Sequence, residues 1–293
     1  MTKLSRVFRT TLCPLFALTL VHSTAHAVQP RDYIPLPAGT AGLQFLHIQG
    51  SGNELYQDGN KVSDDFNIDT NINVFLPVYY STFFSMPAIV EAIIPFGSVE
   101  IDGAAVGNNH LSSSGLADPT LLLGFWPIAD ADNKTWLGVS GWLTAPLGDY
   151  DADRPLNLGR NQWAFKAQTG LVKGFGGFVA EVIPSVEVYS NNNDYGADGH
   201  TLKREPLYAV ETHLSYDVNS SVMVSLDNFF SHGGETTRAG YTIDPEINTH
   251  SMQLTTRLAL APNQLLHFQY LRDLSVENGP KTSRFSVQFT YGF

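Results

Sequence analysis

The last ten residues, 284–293, read RFSVQFTYGF. Every second side chain in this stretch is apolar, and the side chains between them are polar or absent. Successive side chains of a β-strand point to opposite faces of the sheet, so the stretch predicts a strand with one apolar and one polar face. The apolar positions are Phe285, Val287, Phe289, Tyr291 and Phe293.

The same two-residue period occurs upstream. It runs through residues 252–260 and 266–270, where leucine and aromatic side chains alternate with Gln, Thr, Arg and His. Nine further strands are predicted near residues 40–48, 66–76, 87–97, 117–127, 134–146, 161–173, 176–190, 206–217 and 220–230. The chain is therefore predicted to be all-β, with about 12 antiparallel strands.

The connections between these strands are alternately long and short, from residues 49–65 to the short turn at 261–263. Long loops on one side and tight turns on the other are typical of up-and-down β-barrels of the bacterial outer membrane. A soluble sandwich also alternates, but its apolar face packs on a second sheet. The final Phe293 resembles the terminal signal that barrel-assembly machinery reads, and it favours the transmembrane barrel.

Residues 74–97 are apolar enough to suggest a membrane helix instead. Pro77, Pro87, Pro95 and Glu91 interrupt them, and proline inside a helix costs about 3 kcal/mol. The stretch is also rich in Val, Ile, Phe and Tyr, which favour strands. Two strands are therefore predicted here.

The N-terminus has the pattern of a secretory signal peptide. Basic residues precede an apolar stretch at 12–21, and Ala25-His26-Ala27 provides a small-x-small cleavage site. The apolar stretch is shorter than the roughly 20 residues that span a bilayer. We predict a signal peptide at 1–27, a Pro-rich periplasmic segment at 28–38 and a barrel at 39–293.

Cleavage there would remove Cys13, the single cysteine, together with three basic residues. The remaining chain would hold 28 acidic and 14 basic residues, a formal charge of −14. Such an acidic chain is unsuited to nucleic acid. It also has no thiol for catalysis or metal binding.

If the apolar face contacts lipid, the opposite face encloses a lumen lined with polar groups of both signs. These groups either pair across the lumen or contact water, because an unpaired charge is costly in a dry interior. Twelve strands give a bore between a filled eight-stranded barrel and an open porin. The predicted lumen-lining residues with ionisable side chains are Asp69, Glu91, Lys166, Glu181, Glu187, Glu211, His213, Asp227, Arg257, His267 and Arg284, and the neutral ones include Gln44, Asn71, Asn73, Gln168, Gln253, Gln269 and Gln288.

The acidic stretch at 149–153 suggests a metal site. Asp149, Asp151 and Asp153 have the spacing of a calcium loop, but Arg154 and Arg160 replace its glycine and glutamate, so an EF-hand is rejected. A looser divalent site shared with lipopolysaccharide phosphates remains an alternative to a solvated loop. No cofactor or metal is predicted.

Histidines raise two further alternatives. His213 and His267 could form a proton switch or metal site with Glu211 or Glu181, although ordinary hydrogen bonding is favoured. An outer-membrane lipid hydrolase would need a nucleophile on the lipid side. His47 and His250 are the candidates by strand parity and depth, but Ser251 next to His250 points to the opposite face of the strand.

Three segments carry a resemblance to a known family. They are RDYIPLPAGT at 31–40, Asp118-Pro119-Thr120, and the loop from TAPLGDYD at 144–151 to NLGRNQW at 157–163. With these segments the chain resembles the family named for the putative meta-pathway of phenol degradation, over nearly its whole mature length. The resemblance implies an outer-membrane protein associated with uptake of hydrophobic or aromatic compounds. It supplies no defined binding motif.

The sequence therefore predicts a non-enzymatic channel of the bacterial outer membrane for passive uptake of small hydrophobic or aromatic solutes. Residues 28–38 could partly plug its periplasmic mouth. The expected surroundings are outer-membrane lipid, lipopolysaccharide and, through Phe293, the assembly machinery. A structural or surface-interaction barrel without transport is the first alternative, and the lipid hydrolase is the second.

Overall fold

The computed structural model describes residues 28–293, so the predicted signal peptide at 1–27 lies outside the described residues. The described chain is almost entirely β-structure, with one short 3-10 helix at Ala104–Val106. The strands are β1 Ala41–Gln57, β2 Asn60–Ser63, β3 Asn67–Phe83, β4 Met86–Asp102, β5 Leu111–Leu116, β6 Thr120–Asp130, β7 Thr135–Thr144, β8 Ala164–Phe175, β9 Phe178–Tyr189, β10 Asn192–Tyr195, β11 His200–Arg204, β12 Leu207–Asp217, β13 Val222–Gly233, β14 Thr236–Arg238, β15 Tyr241–Asp244, β16 Ile247–Ala261, β17 Gln264–Val276 and β18 Gly279–Gly292.

Twelve strands close into an antiparallel barrel in the order β1, β3, β4, β6, β7, β8, β9, β12, β13, β16, β17 and β18. The last strand pairs with the first in a long register that includes Phe45 opposite Phe289. Closure pairs each of these twelve strands on both sides, so the barrel itself has no free edge strand among the described residues. The predicted barrel of about 12 strands is confirmed.

Six further short strands were not predicted. β2 and β5 extend the sheet at the ends of β1 and β4. β10, β11, β14 and β15 form a separate four-stranded sheet from segments interpreted as loops. Their pairing joins two loops far apart in sequence, as in Leu202 opposite Arg238, and no local pattern encodes it.

The two ends of the barrel differ as predicted. The short-turn end carries connections as tight as Phe84–Ser85, where both residues have positive φ, and here the N–H of Ala41 donates to the carbonyl of Phe293. The long-loop end carries the connections at 58–66, 103–119, 145–163, 190–206 and 234–246.

The outer face of the barrel carries a large apolar surface. Its exposed side chains include Leu43, Phe45, Phe75, Leu123, Phe165, Leu171, Leu214, Leu254, Tyr270, Phe285 and Phe289. Residues 74–97 form part of the hairpin of β3 and β4, as predicted. No helix within residues 28–293 is long and apolar enough to cross a membrane.

The inner face has two unlike halves. We call the apolar inward side chains of β1, β3 and β4 the apolar wall; they include Leu46, Ile48, Ile68, Ile72, Val74, Ile93, Val99 and Ile101. We call the inward side chains of β8, β9, β12, β13, β16, β17 and β18 the polar wall; they include Gln168, Glu181, Glu211, His213, Asp227, Gln253, Thr255, His267, Gln269, Asp273 and Gln288.

The predictions that Asp69, Asn71 and Asn73 in β3 line the lumen were wrong. Asp69 is exposed and shares the outward face of β3 with Asn71, Asn73 and Phe75, whereas Ile68 and Ile72 are buried inside. The outward face of β3 is polar toward the long-loop end and apolar toward the short-turn end. Toward the long-loop end, the inward side chains Ile68 and Ile101 share a hydrophobic cluster with the loop residues Leu156 and Leu158, so the polar face of β3 lies outside there.

Candidate functional site

Residues 28–40 leave the short-turn end and enter the lumen, where their first part forms a plug that we define as Val28–Ile34. Tyr33 lies at its centre and is buried. Its hydroxyl shares a hydrogen bond with Ser140 Oγ at 2.8 Å and donates to Gln168 Oε1 at 3.1 Å. Trp126 Nε1 donates to the Tyr33 carbonyl at 2.8 Å. The plug is thus bonded to the barrel through backbone and side chain.

Two glycines in neighbouring strands make room for the Tyr33 ring. A Cβ atom at Gly170 would overlap the ring, and one at Gly138 would lie 2.5 Å from it. Glycine in a strand interior often marks such a close approach. The two residues face each other in the pairing of β7 with β8, so they form one hollow in the wall.

Arg31 attaches the plug to acidic groups of the polar wall. Its backbone N–H donates to Glu181 Oε2 at 2.7 Å. Its guanidinium donates to Ser215 Oγ at 2.9 Å and to Asp217 Oδ1 at 2.7 Å. The backbone nitrogen of Val28 lies 3.0 Å from Glu211 Oε2. Glu181 and Glu211, both predicted to line the lumen, therefore hold the plug.

Asp227 is the centre of the densest polar network in the wall. Its carboxylate is fully buried and accepts hydrogen bonds from Ser225 Oγ at 2.5 Å, Thr255 Oγ1 at 2.6 Å and Gln253 Nε2 at 3.2 Å. His213 Nδ1 lies 2.9 Å from the same group. These bonds replace the water that the carboxylate loses on burial.

The remaining predicted lumen groups are more dispersed. Arg284 lies near the β1–β18 seam, where Gly50 makes room for it, and its Nη2 is 3.9 Å from Asp273 Oδ1. His267 is buried opposite Arg257 in the β16–β17 pairing. Except for Asp69, the predicted ionisable residues all face inward.

An outer cavity of about 540 Å³, which includes its open mouth, lies toward the long-loop end. Lys166, Glu187 and Glu211 line it beside the hydroxyls of Thr120 and Thr144. The Lys166 ammonium lies 3.6 Å from the centre of the Trp142 ring, a cation–π contact. Opposite charges thus face this cavity at close range.

An inner cavity lies between the plug and the strands around the apolar wall, and its volume of about 520 Å³ includes the open space at its mouth. Tyr33, Tyr80, Trp126 and Trp142 supply aromatic surface. The predicted lumen residue Glu91 lies here and accepts a hydrogen bond from Gln44 Nε2 at 3.3 Å. Trp142 lines both cavities. The arrangement places aromatic surface and the Glu91–Gln44 pair around one space inside the barrel.

The loop at 145–163, the most specific part of the family resemblance, folds back into the barrel mouth. Leu156 and Leu158 are buried in the apolar core. Asp118 accepts hydrogen bonds from the N–H groups of Gly148 and Arg160 at 2.9 and 2.8 Å. Burial raises the pKa of Asp118, and these N–H groups oppose the shift. The quoted motif residues therefore fix a loop conformation.

The acidic side chains of this loop are engaged locally. Asp149 accepts a hydrogen bond from the Leu116 N–H at 2.8 Å, and Asp151 lies 3.2 Å from Arg154 Nε. Within residues 28–293, no group of three or more His, Cys, Asp or Glu side chains is placed to hold a metal ion.

His250 and Ser251 lie on opposite sides of the barrel wall. The His250 ring stacks on Phe230 with centroids 4.3 Å apart on the outer side. Ser251 is buried inside and donates to Asp273 Oδ1 at 2.6 Å. This geometry separates the two groups that the hydrolase alternative would combine.

Several site residues were not predicted from the sequence. They are Tyr33, Tyr80, Trp126, Trp142, Ser140, Ser215, Asp217, Gly138 and Gly170. The glycines inside two predicted strands were a usable signal of close approach. Nothing local indicated the aromatic residues, because aromatic side chains also suit a lipid-facing position.

The comparisons with known proteins agree with this architecture. The family model described as "Putative MetA-pathway of phenol degradation" matches residues 52–289. No curated protein sequence matches the chain. An outer-membrane channel from Pseudomonas putida F1 is 27% identical, with a TM-score of 0.86, and the match covers 91% of this chain and 100% of that one.

Two autotransporter barrels show likeness in fold alone. The transport unit of AIDA-I from Escherichia coli has a TM-score of 0.54 at 8% identity, covering 92% of this chain and 94% of that one. The β domain of BrkA from Bordetella has a TM-score of 0.51 at 10% identity, covering 88% and 100%. The protein is therefore a β-barrel of the bacterial outer membrane with a channel fold, and it belongs to the phenol-degradation family whose model it matches.

Proposed function

We propose that the protein is a passive channel through which small hydrophobic compounds, including aromatic ones, enter the cell. The observation that carries the proposal is the inner cavity, whose aromatic side chains lie inside an outer-membrane barrel. Apolar pockets with a few convergent polar groups are the usual form of small-molecule sites. The likeness to an outer-membrane channel from Pseudomonas putida F1 adds support.

The cavities suggest a route along the lumen. A solute would pass from the outer cavity past Trp142 into the inner cavity, which both Trp142 and the plug residue Tyr33 border. The plug would then limit exit to the periplasm. In this proposal the lumen charges keep the path hydrated, while the aromatic surface favours solutes with apolar area.

The test is solute entry into liposomes that contain the purified protein, measured by swelling with a neutral aromatic solute and a polar solute of similar size. Faster entry of the aromatic solute supports the proposal. Equal permeability to both, or none with correctly folded protein, contradicts it and favours a barrel without transport.

A substitution that displaces the plug tests its role in limiting passage more directly. Gly170→Ala places a methyl group where the Tyr33 ring lies, so the plug should loosen and single-channel conductance should rise. The matched control is Gly141→Ala, because Gly141 pairs with Ala167 in the same two strands and a Cβ there meets only the Phe165 ring, at 3.3 Å. Equal conductance of the two variants would contradict a limiting role of the plug.

A further inference from the structure

The backbone nitrogen of Val28 is held in an unusual place for a chain segment outside the sheet. Val28 is 5% exposed, and its nitrogen lies 3.0 Å from Glu211 Oε2, across 183 positions of sequence. Glu211 is itself buried on the inward face of β12. A main-chain nitrogen and a carboxylate are therefore in direct contact inside the lumen.

The sequence places the predicted signal cleavage at this same nitrogen. Ala25-His26-Ala27 is the small-x-small site, so the bond to be hydrolysed joins Ala27 to Val28. Signal peptidase would add water across it. The hydroxyl group of the water adds to the Ala27 carbonyl carbon, which forms a carboxylic acid. The Val28 nitrogen keeps its own proton and gains one from the water and one from the new acid. The products are therefore a carboxylate at Ala27 and an ammonium at Val28.

We propose that the mature N-terminus is an α-ammonium that binds the Glu211 carboxylate as an ion pair inside the barrel, so that processing completes the seating of the plug. Before cleavage the nitrogen is a neutral amide that donates one hydrogen. After cleavage it carries a full positive charge and three protons. Charge-assisted hydrogen bonds are about twice as strong as neutral ones.

The surrounding charges suit an added cation. Glu211 also accepts a hydrogen bond from Gln168 Nε2 at 3.3 Å, a neutral donor, and His213 Nε2 lies 3.9 Å from it. The other ionisable groups that face this region are Lys166 on β8, Glu181 on β9, Asp227 on β13, Arg257 on β16 and Asp32 in the plug. Four carboxylates thus lie near the terminus, and Arg31, the base nearest in sequence, is already paired with Asp217.

The position of the pair explains why the exact terminus matters. The plug is bonded to the barrel at Arg31, through Glu181, and at Tyr33, through Ser140. Val28 borders the inner cavity. An ion pair at Val28 fixes the free end of the plug as well. A terminus one residue longer would move the ammonium away from Glu211 by roughly 3.5 Å.

The experiment measures the titration of the terminal amine in the full mature chain. Mass spectrometry first identifies the N-terminal residue. The folded protein is then acylated with an amine-reactive ester at a series of pH values, and the N-terminal peptide is quantified. The midpoint of the rate profile reports the pKa of the amine whatever its steric access.

Four samples are compared. With authentic Val28 the midpoint should lie at least about one unit above the ordinary α-amine value of roughly 8, since an adjacent carboxylate stabilises the charged form. In Glu211→Gln it should return toward that value. A chain with one glycine inserted before Val28 should show the same lowered midpoint as Glu211→Gln. Because this chain keeps Glu211, it decides the test if Glu211→Gln does not fold. Glu187→Gln removes another carboxylate from the polar wall without contact to Val28 and should keep the raised midpoint.

A terminus at a residue other than Val28 would overturn the inference. So would equal midpoints for the authentic and glycine-extended chains. The measurement involves no solute, so its result is independent of whether the barrel transports aromatic compounds.

Discussion

The two walls of the lumen are stabilised by different interactions although they belong to one sheet. The apolar wall, with side chains such as Val74 and Ile101, belongs to one hydrophobic cluster with the buried leucines of the loop at 145–163. The polar wall satisfies buried charges by hydrogen bonds, with Asp227 as the clearest example. The difference shows that a barrel interior can be filled by loop packing on one side and by side-chain networks on the other.

The largest effect is expected from breaking the network of the polar wall. Asp227→Ala leaves His213, Ser225 and Thr255 without their shared acceptor. Removing one partner of a buried charged network typically costs about 3–5 kcal/mol. Urea unfolding in detergent micelles, followed by tryptophan fluorescence, would measure the loss.

The matched control is Asp69→Ala, which removes a carboxylate from the exposed outward face of β3. We expect no measurable change in the free energy of unfolding, because exposed carboxylates contribute little. Similar losses in both variants would contradict the description of the two faces.

A somewhat smaller effect is expected from the apolar wall. Leu158 is fully buried in the core, and Leu158→Ala should destabilise the protein by about 3 kcal/mol through lost burial and a cavity. Leu147→Ala changes an exposed leucine in the same loop and should be near neutral. Thermal unfolding of both variants checks this, and a stable Leu158→Ala would mean that the loop does not support the wall.

The smallest effect is expected from single lumen charges that do not bond to Asp227. Arg257 faces inward opposite His267, so Arg257→Ala should shift ion selectivity modestly toward cations while the barrel still folds. Reversal potentials in a planar bilayer with a salt gradient measure this.

Glu181→Ala should shift the ion selectivity in the opposite direction, toward anions, and should also loosen the plug, because the Arg31 N–H loses its acceptor. Unchanged currents in both variants would argue against a conducting lumen.

Most of the barrel could be predicted because alternation is a local signal. The two-residue period in residues 284–293 predicted β18 and its two faces. The same alternation in β12 and β13 placed Glu211, His213 and Asp227 on the inward face, where they are buried. Asp69, Asn71 and Asn73 were assigned to the wrong face, because parity says which residues share a face but not which face is inside. In β3 the polar face lies outside at its long-loop end, where water replaces lipid.

The contacts of the plug could not be predicted from the sequence. Its Pro-rich composition predicted a segment outside the sheet, and a plugging role was suggested, but its contacts join residues more than a hundred positions apart, as in Tyr33 with Ser140 and Gln168. The same holds for the four-stranded sheet built from two loops.

The sequence by itself determined the strands, their alternation and the long and short connections, because each depends on neighbouring residues and on the two-residue period of a strand. Only the tertiary structure decided which partner each inward group meets, where Tyr33 fits against Gly170, and how the lumen divides into an apolar and a polar wall. Those outcomes depend on barrel closure, which brings distant strands together and assigns every face a lipid, water or protein environment.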